Sequence, residues 1–251
     1  MKMKVVYHPR YLEVYASDPA AQAGRIESIL KEVSPHYELV TPEPASIEDI
    51  KLVHTEWHIA DIQRMRETYE VALLAAGGAI KAAELAVSGE PAFGLIRPPG
   101  HHASPDSCWG FCFFNNMAIS IAKRRAEKKI NRAVILDFDL HFGDGTDNTF
   151  SRVPDVVYHH PEDRSRQEFV DGIARFLDKQ KADIIAVSAG FDRGVEDWGG
   201  LLTTEDYQTI GKLVKEFSLK SCQGRRYGVL EGGYNHSVLG KNVKAFLDGM
   251  S

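Results

Sequence analysis

The chain has 251 residues, of which 43% are hydrophobic and 26% are charged. This composition is typical of a globular protein and excludes a disordered or fibrous chain. The 30 basic and 35 acidic residues give a net charge of −5, so the charge balance favours neither nucleic acid nor an anionic membrane as the main partner.

The sequence also predicts the compartment in which the protein works. The longest uncharged apolar stretch, Val71–Ile80, is about half as long as a membrane span. Met1–Lys4 leads into too few apolar residues for a signal peptide, and three cysteines without a CxxC pair make a disulfide framework unexpected. We therefore expect a cytoplasmic protein.

From the amino to the carboxyl end, short apolar runs alternate with stretches of helical periodicity. The apolar runs predict strands at Val5–Tyr7, Phe93–Ile96, Ala133–Leu136, Val156–Tyr158, Ile184–Val187 and Tyr227–Leu230. The periodic stretches predict helices at Ile47–Leu52, His58–Tyr69, Ala72–Val87, Asn115–Lys129, Gln167–Gln180, Thr204–Ser221 and Ser237–Asp248. This alternation favours an α/β fold with a mostly parallel β-sheet and helices on both faces. No repeat or long linker divides the chain, so we expect residues 1–251 to form a single domain.

Four of the predicted strands end abruptly in polar, glycine-rich segments. These segments are Arg97–His102, Asp137–His141, Ser188–Asp192 and Glu231–Tyr234. Ligands of such sheets bind beyond the carboxyl ends of the strands. We therefore expect one crevice that collects histidines, carboxylates and a tyrosine.

The segment Asp137–His141 has the pattern of a metal site. In extended chain, residues two apart point the same way, so Asp137, Asp139 and His141 face one side. Carboxylate oxygens and an imidazole nitrogen suit Zn²⁺, and Asp192 from a neighbouring strand end supplies a further ligand. Solvated loop residues or helix caps are the alternative, but buried carboxylates without a metal or a partner are costly. The pattern therefore favours a catalytic metal site with one position left for water.

Three further residues are candidates for catalysis. His101 and His102 follow the rigid turn Pro98–Gly100, and a carboxylate on one ring nitrogen raises the basicity of the other. Such a pair can act as general base and general acid, although the residues alone do not separate the two roles. Tyr234 follows two glycines and is placed to donate a hydrogen bond to an oxyanion, the alternative being a core tyrosine.

Five motifs in this order resemble those of the histone deacetylase family, which includes acetylpolyamine amidohydrolases and bacterial and archaeal relatives. The motifs are RPPGHHA (Arg97–Ala103), GFCFFNN (Gly110–Asn116), DFDLHFGDGT (Asp137–Thr146), SAGFD (Ser188–Asp192) and LEGGYN (Leu230–Asn235). The first and the last are closer to the class II and microbial branch than to class I. The resemblance starts at Tyr7 and covers most of the chain.

The resemblance implies the arginase/deacetylase α/β fold and zinc-dependent hydrolysis of an amide. It implies that Asp139, His141 and Asp192 are the zinc ligands. A ligand set with two carboxylates also suits Fe²⁺ or Co²⁺. It pairs each catalytic histidine with an acidic residue behind it: His101 with Asp137, and His102 with Asp144. It further implies that Tyr234 polarises the acyl carbonyl and that Gly110 and Phe111 line the tunnel for an acyl-lysine chain.

The sequence departs from the family pattern at three places. Phe142 replaces a second histidine that is not a zinc ligand, so the metal site is expected to survive. His159–Pro161 stands where the family has a serine-containing segment that helps to hold a structural potassium ion, which leaves the presence of that K⁺ open. A long glycine-rich loop is missing between Pro161 and Gln167, so one tunnel wall is absent or comes from elsewhere.

The leading hypothesis is a zinc-dependent deacetylase that acts on an acylated amine. The substrate classes left open are an acetyl-lysine protein or peptide, an acetylpolyamine, and a small acylated metabolite. We expect no nucleic-acid or membrane partner, and the sequence does not indicate an oligomeric state. A binuclear-manganese ureohydrolase is an alternative, but it needs a second aspartate-rich motif, and Ser188–Asp192 offers one aspartate before Arg193. The other alternative is a relative that binds acylated amines without turnover.

Overall fold

The computed structural model describes residues 3–163 and 165–251. Its strands are β1 (Lys4–Val6), β2 (Glu38–Val40), β3 (Ala92–Gly94), β4 (Ala133–Asp137), β5 (Val156–His159), β6 (Ile184–Ala189) and β7 (Arg226–Leu230). They form one sheet in the order β2-β1-β3-β7-β6-β4-β5, and every neighbouring pair is parallel.

The helices alternate with the strands along the chain. They are α1 (Arg25–Val33), α2 (Ile47–Ile50), α3 (Glu56–Gln63), α4 (Arg66–Val87), α5 (Asn116–Ala126), α6 (Asp144–Phe150), α7 (Arg166–Asp178), α8 (Thr204–Ser221) and α9 (His236–Met250). Two short 3₁₀ helices cover Pro9–Leu12 and Pro19–Ala21. Across the two described ranges, none of the helices combines the length and the apolar character needed to cross a membrane.

Apolar side chains cover both faces of the sheet. Because successive strand residues point to opposite faces, Val134 and Leu136 of β4 pack in a core with α1, α7, α8 and α9. Ala133 and Ile135 of the same strand pack on the other side with α4 and α5. The predicted parallel sheet between two helical layers is therefore confirmed.

Several predicted boundaries are wrong, and one strand and two α-helices of the described residues were not predicted. The predicted helix His58–Tyr69 is broken at Arg64–Met65, because Met65 has non-helical dihedral angles and α4 starts after it. Strand β2 was missed since it is an exposed edge strand without an apolar run. Helix α6 was missed because its sequence, DGTDNTF, is poor in strong helix formers. Helix α1, in contrast, has a clear apolar periodicity that was overlooked.

The sheet order explains why the polar segments meet. Strands β3, β7, β6 and β4 are consecutive neighbours, and each is followed by one of the four polar segments. The carboxyl ends of parallel strands lie at the same edge, so the segments form one crevice there. The expected convergence is thus built into the topology.

A buried histidine forms hydrogen bonds with two backbone groups beside this crevice. His54 is 3% exposed, and its Nδ1 lies 3.0 Å from the carbonyl oxygen of Ser104. Its Nε2 accepts a hydrogen bond of 2.9 Å from the backbone N–H of Asn115, the N-cap residue of α5. Both bonds require the neutral ring with the proton on Nδ1. Burial and the nearby His58 lower the pKa of His54 to about 3.

We expect His54 to contribute a loss of stability to the metal-free protein as the pH falls from 6.5 towards 4. In that window the unfolded chain protonates His54 and the folded chain does not, so acid favours unfolding. With an unfolded pKa near 6.5, His54 alone lowers the free energy of unfolding by ~2 kcal/mol between pH 7 and pH 5. Urea denaturation at several pH values measures this slope. His54→Gln should remove the His54 contribution from this slope and the exposed His36→Gln should not; equal slopes in all three proteins would contradict the prediction.

Candidate active site

Two carboxylates and an imidazole converge at the edge of the sheet. Asp139 and His141 lie just past the end of β4, and Asp192 lies just past the end of β6, the neighbouring strand. Nδ1 of His141 is 3.3 Å from Oδ1 of Asp139 and 3.2 Å from Oδ2 of Asp192. One ligand atom from each residue falls within 4.8 Å of the other two.

Backbone groups hold the two carboxylates in place. Oδ2 of Asp139 accepts a hydrogen bond of 2.8 Å from the N–H of Gly232, and Oδ1 of Asp192 accepts one of 3.0 Å from the N–H of Leu140. A Cβ on Gly232 would lie 2.6 Å from Oδ2 of Asp139, and a Cβ on Gly190 would lie 2.0 Å from the same atom. Glycine is required at both positions because the backbone approaches the carboxylate so closely.

The electrostatics of this cluster favour a cation. Asp139 and Asp192 are almost fully buried, and burial together with the charge of Asp139 raises the pKa of Asp192 to about 6. A hydrogen bond to Asp139 and the close carboxylate of Asp192 raise the pKa of His141 to about 10. Oδ2 of Asp192 is buried, and apart from the ion-pair contact with His141 it accepts no well-aligned hydrogen bond from the residues that the structure describes. Two carboxylates, one imidazole and an unsatisfied oxygen fit a divalent metal ion.

The two histidines have different surroundings. Nδ1 of His101 is 3.1 Å from Oδ2 of Asp137, and Nδ1 of His102 is 2.7 Å from Oδ1 of Asp144. Burial opposes protonation of His101, but Asp139 and Asp137 outweigh it and raise its pKa well above the ordinary value. Burial and the nearby His101 lower the pKa of His102 to about 4. The pair therefore contains one histidine that favours the charged form and one that favours the neutral form.

A tyrosine of β5 completes the support of His101. The hydroxyl of Tyr158 donates to Oδ2 of Asp137 at 2.9 Å and accepts from the N–H of Gly143 at 2.8 Å. Tyr158 was not among the residues singled out from the sequence. Its place near the end of a strand that pairs with β4 was the available signal.

Tyr234 lies on the loop after β7, close to the metal cluster. Its N–H donates to Oδ2 of Asp197 at 2.7 Å, and its ring stacks on Trp198 with a centroid distance of 4.1 Å. The guanidinium of Arg25 lies 5.4 Å from the ring centroid. Burial raises the pKa of Tyr234 above its ordinary value, so the hydroxyl keeps its proton.

These side chains line a cavity of about 120 Å³. The residues on its wall include His101, His102, Gly110, Phe111, His141 and Tyr234. Gly110 and Phe111 thus lie where the resemblance implied a lining role. The backbone at Gly110 cannot carry a side chain without displacing His102, whose Cδ2 is 2.5 Å from the site of an added Cβ.

Two tryptophans line the same cavity. Trp109 packs against His102 with the rings tilted by 34° and a centroid distance of 3.9 Å, and its Nε1–H donates to Oδ2 of Asp144 at 2.8 Å. Trp198 covers Tyr234 and meets His141 edge-on at 6.2 Å. Both indoles are about half exposed, so they form the aromatic mouth of the cavity, here called the tryptophan rim. Neither tryptophan was singled out from the sequence; their nearness to the GFCFFNN and SAGFD motifs was the usable signal.

The chain belongs to the histone deacetylase family. The sequence model of the histone deacetylase domain matches residues 19–161 and 159–250, and the family consists of hydrolytic deacetylases. A "probable deacetylase" of Methanothermobacter thermautotrophicus is 30% identical over 306 aligned positions, which cover 99% of this chain and 90% of the relative. A "histone deacetylase-like amidohydrolase" of Pseudomonas aeruginosa is 28% identical, with 88% of this chain and 75% of the relative covered.

A solved structure shows the same fold. The crystal structure of the HDA15 HD domain superposes with a TM-score of 0.84 at 20% identity and covers 100% of this chain and 90% of its own. The resemblance stated from the five motifs and the arginase/deacetylase-like α/β fold are therefore both confirmed, and the chain is a hydrolytic deacetylase.

The comparisons also locate a difference from the family. The alignment with the archaeal relative has 306 positions, 55 more than the 251 residues of this chain. The family match breaks into two pieces at residues 159–161, where the chain passes from β5 to α7. A connection much shorter than the family pattern at this point agrees with the missing glycine-rich loop inferred from the sequence.

Proposed function

We propose that residues 1–251 form one catalytic domain that removes an acetyl or other acyl group from an acylated amine with the help of a divalent metal ion. The observation that carries the proposal is that the cluster of Asp139, His141 and Asp192 opens through His141 onto the cavity that two carboxylate-backed histidines also line. The Lewis acid, the proton carriers and the substrate then share one space, as amide hydrolysis requires.

Asp139, His141 and Asp192 are the proposed metal ligands. The unsatisfied Oδ2 of Asp192 and the demand of two buried carboxylates for positive charge support this assignment. Zn²⁺ is the favoured ion, and the donor set also suits Fe²⁺ or Co²⁺. When bound, such an ion polarises the acyl carbonyl and lowers the pKa of a water molecule to about 7.

The two histidines have different roles in this proposal: His102 transfers the protons, and His101 stabilises charge. His102 is neutral above a pH of about 4, and because Asp144 takes the Nδ1–H, its Nε2 is unprotonated and free to accept the proton of the attacking water. The same Nε2 then returns the proton to the leaving amine. His101, held by Asp137 and kept charged by the carboxylates around it, steadies the negative charge that develops on the substrate.

Tyr234 supplies a second source of stabilisation. Its protonated hydroxyl donates a hydrogen bond to the developing oxyanion in the cavity that the histidine pair also lines. The stack on Trp198 and the bond from its N–H to Asp197 fix the position of the ring before the substrate arrives. Such a preset donor needs no rearrangement during the reaction.

The ligand assignment predicts the metal content of three variants. Asp139→Ala, His141→Ala and Asp192→Ala should each lose most of the bound divalent metal, because each removes one of three protein ligands. Loss of the Lewis acid should lower kcat/KM by about 10³-fold or more. Elemental analysis and a deacetylation assay, each with and without a chelator, measure both effects. The exposed Asp178→Ala on α7 is the control. Full metal content in all three variants would refute the assignment, and metal without turnover in the wild-type protein would favour a binding role.

The role of Tyr234 is tested by Tyr234→Phe, which removes the donor and keeps the ring. The expected result is a fall in kcat on the order of 10²–10³ with little change in KM. Tyr37→Phe removes a hydroxyl bonded to Asp248 and should leave kcat unchanged. An unchanged kcat in Tyr234→Phe would return this residue to a structural role.

The substrate is proposed to be an acylated amine held in an open cavity. The missing loop leaves less apolar wall to grip a lysine-like stem, and each methylene left unburied forfeits about 0.8 kcal/mol. We therefore expect weak discrimination among acetyl-lysine peptides, acetylpolyamines and bulkier acyl substrates, with a high KM for simple peptides unless a neighbouring subunit closes the gap. Steady-state kinetics on this panel, beside a measurement of molecular mass in solution, tests the expectation. A monomer with a low-micromolar KM for one slender peptide would contradict it.

The tryptophan rim is the remaining wall, so its loss should weaken binding. Trp198→Ala removes the indole that covers Tyr234, and the lost aromatic contact should raise KM about tenfold for every substrate of the panel. Leu219→Ala removes an exposed apolar side chain near the end of α8 and serves as the matched control. If KM is unchanged in Trp198→Ala, the indole does not contact the substrate.

A further inference from the structure

A buried arginine lies directly behind the metal cluster. Arg193 follows Asp192 and is 7% exposed. Its Nη2 donates to the carbonyl oxygens of Asp139 at 2.7 Å and of Leu140 at 3.2 Å, and its Nε donates to that of Phe138 at 3.3 Å. One guanidinium therefore binds three successive carbonyls of the segment that carries Asp139 and His141.

The other sides of the guanidinium are enclosed as well. Its Nη2 lies 3.2 Å from Nε2 of His160, just beyond β5, and its Cζ lies 4.7 Å from the ring centroid of Phe169 on α7. Within the described ranges, no carboxylate oxygen lies within 4.0 Å of the Arg193 nitrogens. Backbone carbonyls, a ring nitrogen and an aromatic face thus surround a full positive charge, which is the environment of a bound cation.

This arrangement does not fit the potassium ion that the resemblance implied. The segment expected to help hold that ion contains His160, and His160 contacts the guanidinium instead. Carbonyl oxygens that accept hydrogen bonds from Arg193 have those lone pairs in use, and a second cation beside a guanidinium would be repelled. The shortened β5–α7 connection brings Phe169 against the same group.

We propose that Arg193 is a built-in cation that positions the metal-binding segment and makes a bound monovalent ion unnecessary. It is a positioning residue: it acts through the backbone of Phe138–Leu140 and ties this segment to Asp192, its own neighbour in the chain. Its charge also offsets part of the repulsion between the two buried carboxylates. The role of Arg193 in positioning a metal-binding segment rests on the proposed function. Its role in place of a monovalent ion does not.

The first experiment measures thermal unfolding of metal-free protein in potassium chloride and in tetramethylammonium chloride at equal ionic strength. Wild-type protein should melt at the same temperature in both salts. Arg193→Ala should be less stable and should regain about 3 °C or more in potassium chloride or in millimolar guanidinium. Arg175→Ala, an exposed arginine of α7, should behave like the wild type.

The second experiment measures the Co²⁺ affinity of the same proteins by competition with a chromophoric chelator. Arg193→Ala should bind Co²⁺ about tenfold or more weakly, and potassium should restore part of the affinity. Arg193→Lys should recover only part of it, since one ammonium group cannot reach three carbonyls in the same geometry.

Two results would overturn the proposal: a specific stabilisation of the wild-type protein by potassium, or an Arg193→Ala protein with wild-type stability in both salts. If Arg193→Ala does not fold, Arg193→Lys and the response of the wild type to potassium still decide. If the wild-type protein does not bind Co²⁺, the proposed function is refuted instead. The melting experiment contains no divalent metal, so it still tests whether Arg193 replaces a monovalent ion.

Discussion

The rest of the site depends on one constraint. Two carboxylates are buried side by side in the corner between the ends of β4 and β6. Asp139 and Asp192 are buried side by side, which is unfavourable for both charges unless donors and cations surround them. The raised pKa values of Asp192 and His141 express the same demand for positive charge. The two buried carboxylates therefore favour the binding of a cation in this corner.

The backbone makes this corner possible. Parallel strands place the residues after β4, β6 and β7 at one edge, and the N–H groups of Leu140 and Gly232 then reach the two carboxylates. Hydrogen bonds to ionised oxygens are stronger than those between neutral groups, so they offset part of the cost of burial. The glycines beside Asp139 keep the chain close enough to donate. Fold and site are thus coupled through a few short backbone contacts.

Sequence reasoning predicted the parallel sheet and the converging segments because apolar strands end abruptly at polar residues such as Asp137. It did not find the edge strand Glu38–Val40, whose exposed residues lack the apolar signal. The roles of Trp198 and Arg193 could not be predicted either. Each depends on the path of the loop after β6 and on contacts with residues distant along the chain, Tyr234 for the indole and Phe138–Leu140 for the guanidinium. Local periodicity carries no information about such contacts.

The hydrogen bonds of Tyr158 determine the direction of every bond behind His101. A phenol has one proton, and because its oxygen already accepts from the N–H of Gly143, that proton must point to Asp137. The carboxylate oxygen that receives it therefore acts only as an acceptor, and His101 must present a hydrogen on Nδ1 to the same oxygen. Tyr158, which does not line the cavity, in this way fixes the orientation of the His101 ring, which does.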